Sequence, residues 1–329
     1  MERLDAFMAR ANAAYYATND PFRDFTTSPE ISQVFGEILG VWAAVVWQQI
    51  GSPDPVLLIE AGPGRGTLMA DGLRAIRSVA PAFAAALRLH LIETSPRLRA
   101  MQMERLPQAT WHGSVDTIPE APFILLANEF LDALPIRQFI RRHDTWTERF
   151  VIDGKFVEQS ARPLPSLLAE GSWGEAVEQV YELSEPALVL ARSLGHRLAA
   201  HPGAALFLDY GPEHSAPGDS LQAIRAGRPA DPLADPGTAD LTAHVDFATF
   251  ANTARDAGAI IHGPVPQGIF LAHLGLFQRT DRLARTQPAE RAAALIESAR
   301  RLAEPNRMGR LFKAMALAGR DVPTPPGFE

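Results

Sequence analysis

Apolar and polar positions recur along this chain with two periods. Ile31, Val34, Phe35, Ile38, Leu39, Trp42, Val45 and Val46 follow the spacing of a helix with one buried face, and Gly51 ends the run. Ser28-Pro29-Glu30 predicts the start of that helix, with Ser28 as cap and Pro29 in the first turn. Apolar runs predict strands at 56–59, 122–127 and 204–209, a second strand pattern lies at 87–92, and residues 109–112 suggest a short strand. Helical patterns near 67–74, 97–106 and 186–198 lie between them. Ile136 to Arg141 and Thr145 to Ile152 read as antiparallel strands, and Asp153-Gly154 predicts a hairpin turn before Lys155. Residues 211–240, rich in Gly, Pro and Asp, predict a long functional loop. After it come a helix near 247–257, one charged helix from Arg279 to Leu302, and a last strand over 311–317. Strands alternating with helices imply an α/β fold on a mostly parallel sheet with helices on both faces. The breaks divide the chain into an N-terminal helical or lid segment (1–51), a Rossmann-like core (52–212, with an antiparallel insertion and helix at 136–200), and residues 213–329, which complete the sheet and the substrate site.

Between the first predicted strand and the helix that follows stands Glu60-Ala61-Gly62-Pro63-Gly64-Arg65-Gly66-Thr67. Gly62, Gly64 and Gly66 can take positive φ and let a ligand approach the main chain. Strand, glycine turn and helix together offer backbone N–H groups and a helix N-terminus. The dinucleotide fingerprint needs its third glycine one position later, where Thr67 stands, and no Lys-Ser/Thr pair follows for a phosphate loop. The G-x-G-x-G spacing fits instead the loop that holds S-adenosylmethionine (SAM) in Rossmann-like methyltransferases. The second strand ends in Glu93, followed by Thr94, where an acidic side chain can accept both ribose hydroxyls. Glu60, Thr67 and Asn128 complete the predicted cofactor set, with Asp116 as a candidate adenine contact.

Composition narrows the chemistry further. The chain has 329 residues, no cysteine and a net charge of -7, which disfavours a nucleic-acid surface, disulfides and cysteine-ligated zinc. Its longest apolar helical run, Ile38 to Trp47, is too short to span a bilayer, and the N-terminus lacks a signal-peptide pattern. Neither H-E-x-x-H nor G-x-S-x-G occurs, so no metal is expected and a serine hydrolase lacks its nucleophile.

Asn128, Glu129 and Asp132 follow the 122–127 strand, where an α/β sheet binds ligands. Glu129 is the first candidate to grip an acceptor or take its proton; Asp132 either assists or caps the next turn. Asp209 and Tyr210 either line the acceptor pocket or form a strand-end turn. His244 and Asp246 are either a general base with its orienting carboxylate, or a surface histidine beside a helix cap. Tyr15, Tyr16, Asp24, Thr27, Glu30 and Gln33 either form a lid over the cofactor or serve capping and packing.

The chain resembles the MidA family of SAM-dependent methyltransferases. The resemblance is carried by residues 24–37, 60–69 and 127–138, by Leu208-Asp209-Tyr210-Gly211, and by residues 218–223, 239–247 and 308–313, in order over nearly the whole chain. It implies a class I methyltransferase sheet of seven strands, and SAM bound by the glycine turn and Glu93. Mitochondrial members are complex I assembly factors that methylate an arginine of a complex I subunit. The resemblance therefore implies a protein arginine as leading acceptor. A small molecule or modified peptide, or a non-catalytic assembly role, is the alternative. It implies a cytoplasmic protein in a bacterium, or a matrix protein in a eukaryote; an oligomer is possible. Here Asn19-Asp20-Pro21-Phe22-Arg23 runs straight into Asp24, where family members carry a small glycine-containing insertion. That difference bears on the acceptor more than on the cofactor.

Overall fold

The computed structural model describes residues 1–19, 26–143, 145–166, 168 and 178–329. Seven strands make its central sheet: β1 (Val56–Ala61), β2 (Leu87–Ile92), β3 (Thr110–His112), β4 (Phe123–Asn128), β5 (Gly203–Tyr210), β6 (Ile260–Pro266) and β7 (Phe312–Ala318). Their order is β6-β7-β5-β4-β1-β2-β3. β5, β4, β1, β2 and β3 pair in parallel, and β7 runs antiparallel to both of its neighbours.

Every residue of β1, β4 and β7 is buried, and their sequences are apolar apart from Glu60, Asn128 and Lys313. Alternate side chains go to opposite faces. Val56 and Leu58 pack with Trp42, Leu68 and Leu73 from the helices Gln33–Gln49 and Thr67–Val79. Leu57 and Ile59 share the other core with Leu194, Phe247 and Phe250 from the helices Glu185–Ala200 and Phe247–Asp256. A second, antiparallel sheet joins Arg137–Arg142, Thr145–Ile152, Lys155–Ser160 and Val180–Leu183 to the N-terminal Glu2–Arg3. The helix Leu4–Thr18 shares a small core with Ile136, Val151 and Leu241. Its Asn12 side chain donates to the Ala133 and Leu241 carbonyls and accepts from the Leu241 N–H.

Several elements depart from the sequence reading. The helix expected from Ser28 is two helices, Ser28–Ile31 and Gln33–Gln49. Ser32 breaks them with extended backbone and caps the second, accepting from the Val34 N–H. Thr27, not Ser28, precedes the first turn. The charged helix is also two, Leu276–Ala284 and Ala289–Ala303, parted before Pro288, which has no N–H to continue a helix. The loop 211–240 holds a hairpin, Gln222–Arg225 and Arg228–Ala230, whose first strand also pairs with Asp240–Thr242. Its turn residues Ala226 and Gly227 both have positive φ. β6 and the helix Gln267–His273 had no sequence signal, because β6 is half-exposed and bulges between His262 and Val265.

Candidate active site

The glycine turn leaves β1 with three left-handed residues: Gly62 (φ +66°), Gly64 (+54°) and Gly66 (+75°). Gly66 immediately precedes the helix Thr67–Val79. A Cβ on Gly62 would stand 2.7 Å from the Phe130 ring, so the approach of the next loop also demands glycine. Beside this turn, at the carboxyl ends of β1, β2 and β4, lies a cavity of about 550 Å³. Glu60, Gly62, Gly64, Thr67, Glu93, Thr94, Asn128 and Glu129 line it, and Tyr16, Thr27 and Glu30 line it from the N-terminal segment.

Of the four carboxylates here, Glu30 accepts from Thr67 Oγ1, and the other three also keep acceptor capacity to spare. Glu60 is buried, takes one hydrogen bond from the Met69 N–H, and leaves Oε2 without a partner. Burial raises its pKa to about 8. Glu93 accepts from the Ser95 N–H (2.8 Å) on Oε1 and from Gln102 Nε2 (3.2 Å) on Oε2. The Thr94 N–H is a third donor, so acceptor capacity remains on the carboxylate, and burial raises its pKa. Glu129 takes three bonds, all on Oε1: from the Ser28 N–H (2.8 Å), Ser28 Oγ (3.2 Å) and Asn128 Nδ2 (2.9 Å). Burial raises its pKa as well. Oδ1 of Asn128 is buried and unpartnered.

Glu129 has φ +50°, a left-handed conformation that costs a non-glycine residue about 1 kcal/mol or more. Two features hold it there. Its N–H donates to the Leu208 carbonyl (2.8 Å), and Asp209 Oδ2 takes the N–H groups of Phe130, Leu131 and Asp132 at 3.0, 2.8 and 3.3 Å. Asp209 Oδ1 also accepts from the Tyr210 N–H. Asp209 is 1% exposed, lies outside this cavity's lining, and anchors the loop that carries Glu129. That geometry corrects its expected catalytic role to one of holding the loop.

The remaining candidates divide in the same way. Asp132 is buried outside the cavity lining, with Oδ1 unpartnered and its pKa raised by burial and by Asp209. The Tyr210 hydroxyl donates to Thr242 Oγ1 and accepts from Gln222. Tyr16 donates to Asp240 (2.7 Å), and its carbonyl accepts from Ser95 Oγ (2.9 Å). Thr67 Oγ1 donates to Glu30 and accepts from Arg105, which joins the lid segment to the glycine turn. Gln33 instead bonds Glu37 and lies outside the cavity lining. Asp116 is exposed and also stands outside it.

His244 and Asp246 line a different cavity. Among the described residues no hydrogen bond joins them: Asp246 caps the helix Phe247–Asp256 through the Thr249 N–H and also bonds Ser215. The paired base and carboxylate is therefore corrected to a helix cap beside an exposed histidine. Asp24 lies outside the described residues. No group of three or more His, Asp or Glu is placed to hold a metal among the described residues.

Sequence reasoning missed Ser28, Gln102 and Phe130. Ser28 was read as a cap because Ser-Pro-Glu has that local signature; its N–H and hydroxyl are instead spent on Glu129, 101 residues away. Gln102 joins Glu93 to the Gly64 carbonyl (2.8 Å) from the middle of a helix, where no local pattern marks it.

Residues 38–265 match the family described as "putative S-adenosyl-L-methionine-dependent methyltransferase". The chain belongs to this methyltransferase family. Among curated relatives, protein arginine methyltransferase NDUFAF7 of Danio rerio is 35% identical, covering 92% of this chain and 79% of its own length. The Homo sapiens protein of the same name is 32% identical, covering 96% and 79%. A COG1565 superfamily member from Burkholderia thailandensis, described as a likely methyl transferase bound to S-adenosyl-homocysteine, superposes with a TM-score of 0.81 at 25% identity. That match covers 99% of this chain and 89% of that one. The methyltransferase fold and SAM as cofactor are thus shown for this chain.

The cavity fits that cofactor. A buried carboxylate with one oxygen unpartnered (Glu60) suits an ammonium, a carboxylate with acceptor capacity left after β2 (Glu93) suits a ribose, and the glycine turn admits a ligand to the main chain.

Proposed function

We propose that this protein transfers the SAM methyl group to a guanidinium nitrogen of a protein arginine, and that Glu129 grips the guanidinium. The observation that carries this reading is the one-sided bonding of Glu129. Ser28 and Asn128 saturate Oε1, which fixes the carboxylate and leaves Oε2 for an incoming N–H donor at the cavity. The relatives' names, as protein arginine methyltransferases, agree with an arginine acceptor.

In the bound state the glycine turn, Glu60 and Glu93 hold the cofactor, and SAM supplies an electrophilic methyl group. Glu129 holds one guanidinium nitrogen and localises the positive charge away from the reacting one. A guanidinium stays protonated in proteins, so its nitrogen needs a proton acceptor as the new bond forms. Burial raises the Glu129 pKa, which makes its carboxylate a better acceptor for that proton. The left-handed backbone at Glu129, pinned through Asp209, keeps the carboxylate in place before the acceptor arrives. By the MidA resemblance, a respiratory complex I subunit is the leading acceptor. The compartment is then the matrix in a eukaryote or the cytoplasm in a bacterium.

The test is methyl transfer from tritiated SAM to proteins of the source organism, followed by acid hydrolysis. Label in methylarginine is the expected result, and Glu129→Gln lowers its rate about a thousandfold while S-adenosylhomocysteine affinity stays within threefold. Label confined to small molecules, or a Glu129→Gln variant at full rate, overturns the reading.

A further inference from the structure

A second cavity of about 570 Å³ lies on the other side of the loop that carries Glu129. The two cavities share no lining residue. Glu129, Phe130, Leu134 and Pro135 face the cofactor cavity, whereas Leu131 and Ile136 face this one, so residues 129–136 are their common wall. Most of its wall is apolar, including Leu183, Leu188, Val245 and Phe250.

Its polar groups are unevenly satisfied. Glu182 accepts from Gln138 Nε2 and from the Ser220 N–H and hydroxyl. Asp246 is occupied by Ser215 and Thr249. Both acids are therefore committed to the protein's own donors.

Lys313 is different. Its side chain is 8% exposed, yet it makes one hydrogen bond, to the Arg310 carbonyl. The carboxylate recorded beside it, on Glu213 of an exposed loop, is 3.9 Å away and beyond hydrogen-bond reach. Asp209, its direct partner across the strands, spends its carboxylate on four backbone N–H groups. A buried ammonium in an apolar wall, with two N–H donors left, is costly unless an anion meets it. Burial lowers its pKa, with Arg310 adding to the shift and the more distant Glu213 opposing it. Arg310 and His244 add donors to the same lining.

We propose that this second cavity docks the acceptor protein next to its target arginine, taking an apolar side chain whose neighbouring carboxylate pairs with Lys313. This rests on the proposed arginine acceptor. The shared wall supports it, because a chain seated here touches the loop that aims Glu129.

The probes are octanoate and octanamide, titrated by calorimetry into the full-length protein loaded with S-adenosylhomocysteine. Octanoate binds at least tenfold tighter than octanamide, and Lys313→Met reduces that preference to within twofold. Ala216→Trp, on an exposed loop residue of the lining, weakens both ligands and leaves Lys313 and the core intact. Octanoate also raises KM for the labelled protein acceptor without changing kcat or KM for SAM. Equal affinity for the two probes overturns the proposal. So does octanoate binding that survives Ala216→Trp, or octanoate binding that leaves the acceptor KM unchanged. If no protein is labelled but octanoate binds as described, the arginine reading fails and the cavity's carboxylate chemistry stands.

Discussion

Two sets of carboxylates sit within this fold, and they differ in what they have left to accept. Glu60, Glu93 and Glu129 line the cofactor cavity and keep unused lone pairs. Asp209 and Asp246 direct their bonds to backbone N–H groups and nearby hydroxyls of the protein itself. The first set is arranged for something that arrives; the second holds loops and helix ends in place. Burial does not separate them, since Glu60 and Asp209 are both nearly inaccessible. Unfilled acceptor capacity does, and Asp132 falls between them: its Oδ1 is unpartnered, yet it lies outside the cavity lining.

The comparison is sharpest at Glu129 and Asp209. Glu129→Gln should slow methyl transfer about a thousandfold, on the order of 4 kcal/mol in the barrier. Its thermal midpoint should shift little, because an amide still accepts from Ser28. Asp209→Ala should do the reverse. It orphans four N–H groups in the interior and should cost about 3 kcal/mol of stability, read by urea denaturation. An Asp209→Ala protein with parental stability and no activity would erase the distinction.

Local pattern explains how much of this was legible. The turn at Gly62, Gly64 and Gly66 was readable because positive φ restricts the residue type, and all three adopt it. Glu93 was readable because a strand end fixes where its side chain points. The parallel strands β1, β4 and β5 were readable because burial on both faces leaves near-continuous apolar runs. The opposite roles of Glu129 and Asp209 were not legible, since each is an acidic residue at the end of a neighbouring buried strand and both stood as candidates. Their difference comes from partners far away in sequence, such as Ser28 for Glu129 and the 130–132 N–H groups for Asp209. The same holds for Ser32: the apolar spacing runs through it, so only its extended backbone reveals the helix break.

A third prediction uses pH. The folded pKa of Glu60, about 8, lies above its ordinary value of 4.5. Its contribution to stability is therefore fully present below about 4.5 and is lost as pH rises through 8. Glu60→Gln, neutral throughout, should gain on the parent by on the order of 5 kcal/mol between those limits in the ligand-free state, 3.5 pH units at about 1.4 kcal/mol each. Melting curves at pH 5 and 8.5 give the difference. Binding should show the opposite preference. If Glu60 ionises to meet the cofactor's ammonium, S-adenosylhomocysteine binding at pH 7 releases close to one proton. Calorimetry in two buffers of different ionisation enthalpy measures it. A parent that releases no proton, or a Glu60→Gln variant that binds as tightly, would move Glu60 into the structural set.

The smallest expected effect tests the structural set from its exposed end. Asp246 caps the helix Phe247–Asp256 through the Thr249 N–H at 2.9 Å, and Ser215 bonds the same carboxylate at 2.7 Å. A cap of this kind is worth about 1 kcal/mol. Asp246→Ala should lose that amount, and Asp246→Asn should recover most of it, because an amide oxygen still accepts the Thr249 N–H. S-adenosylhomocysteine affinity should be the same in all three proteins, since Asp246 lines the second cavity and not the cofactor's. A general base partnered by Asp246 would give another pattern: the asparagine variant would fold like the parent yet lose the alkaline plateau of its rate profile. The stability ladder and the pH profile thus separate a cap from a catalytic pair, even though both variants change a single carboxylate.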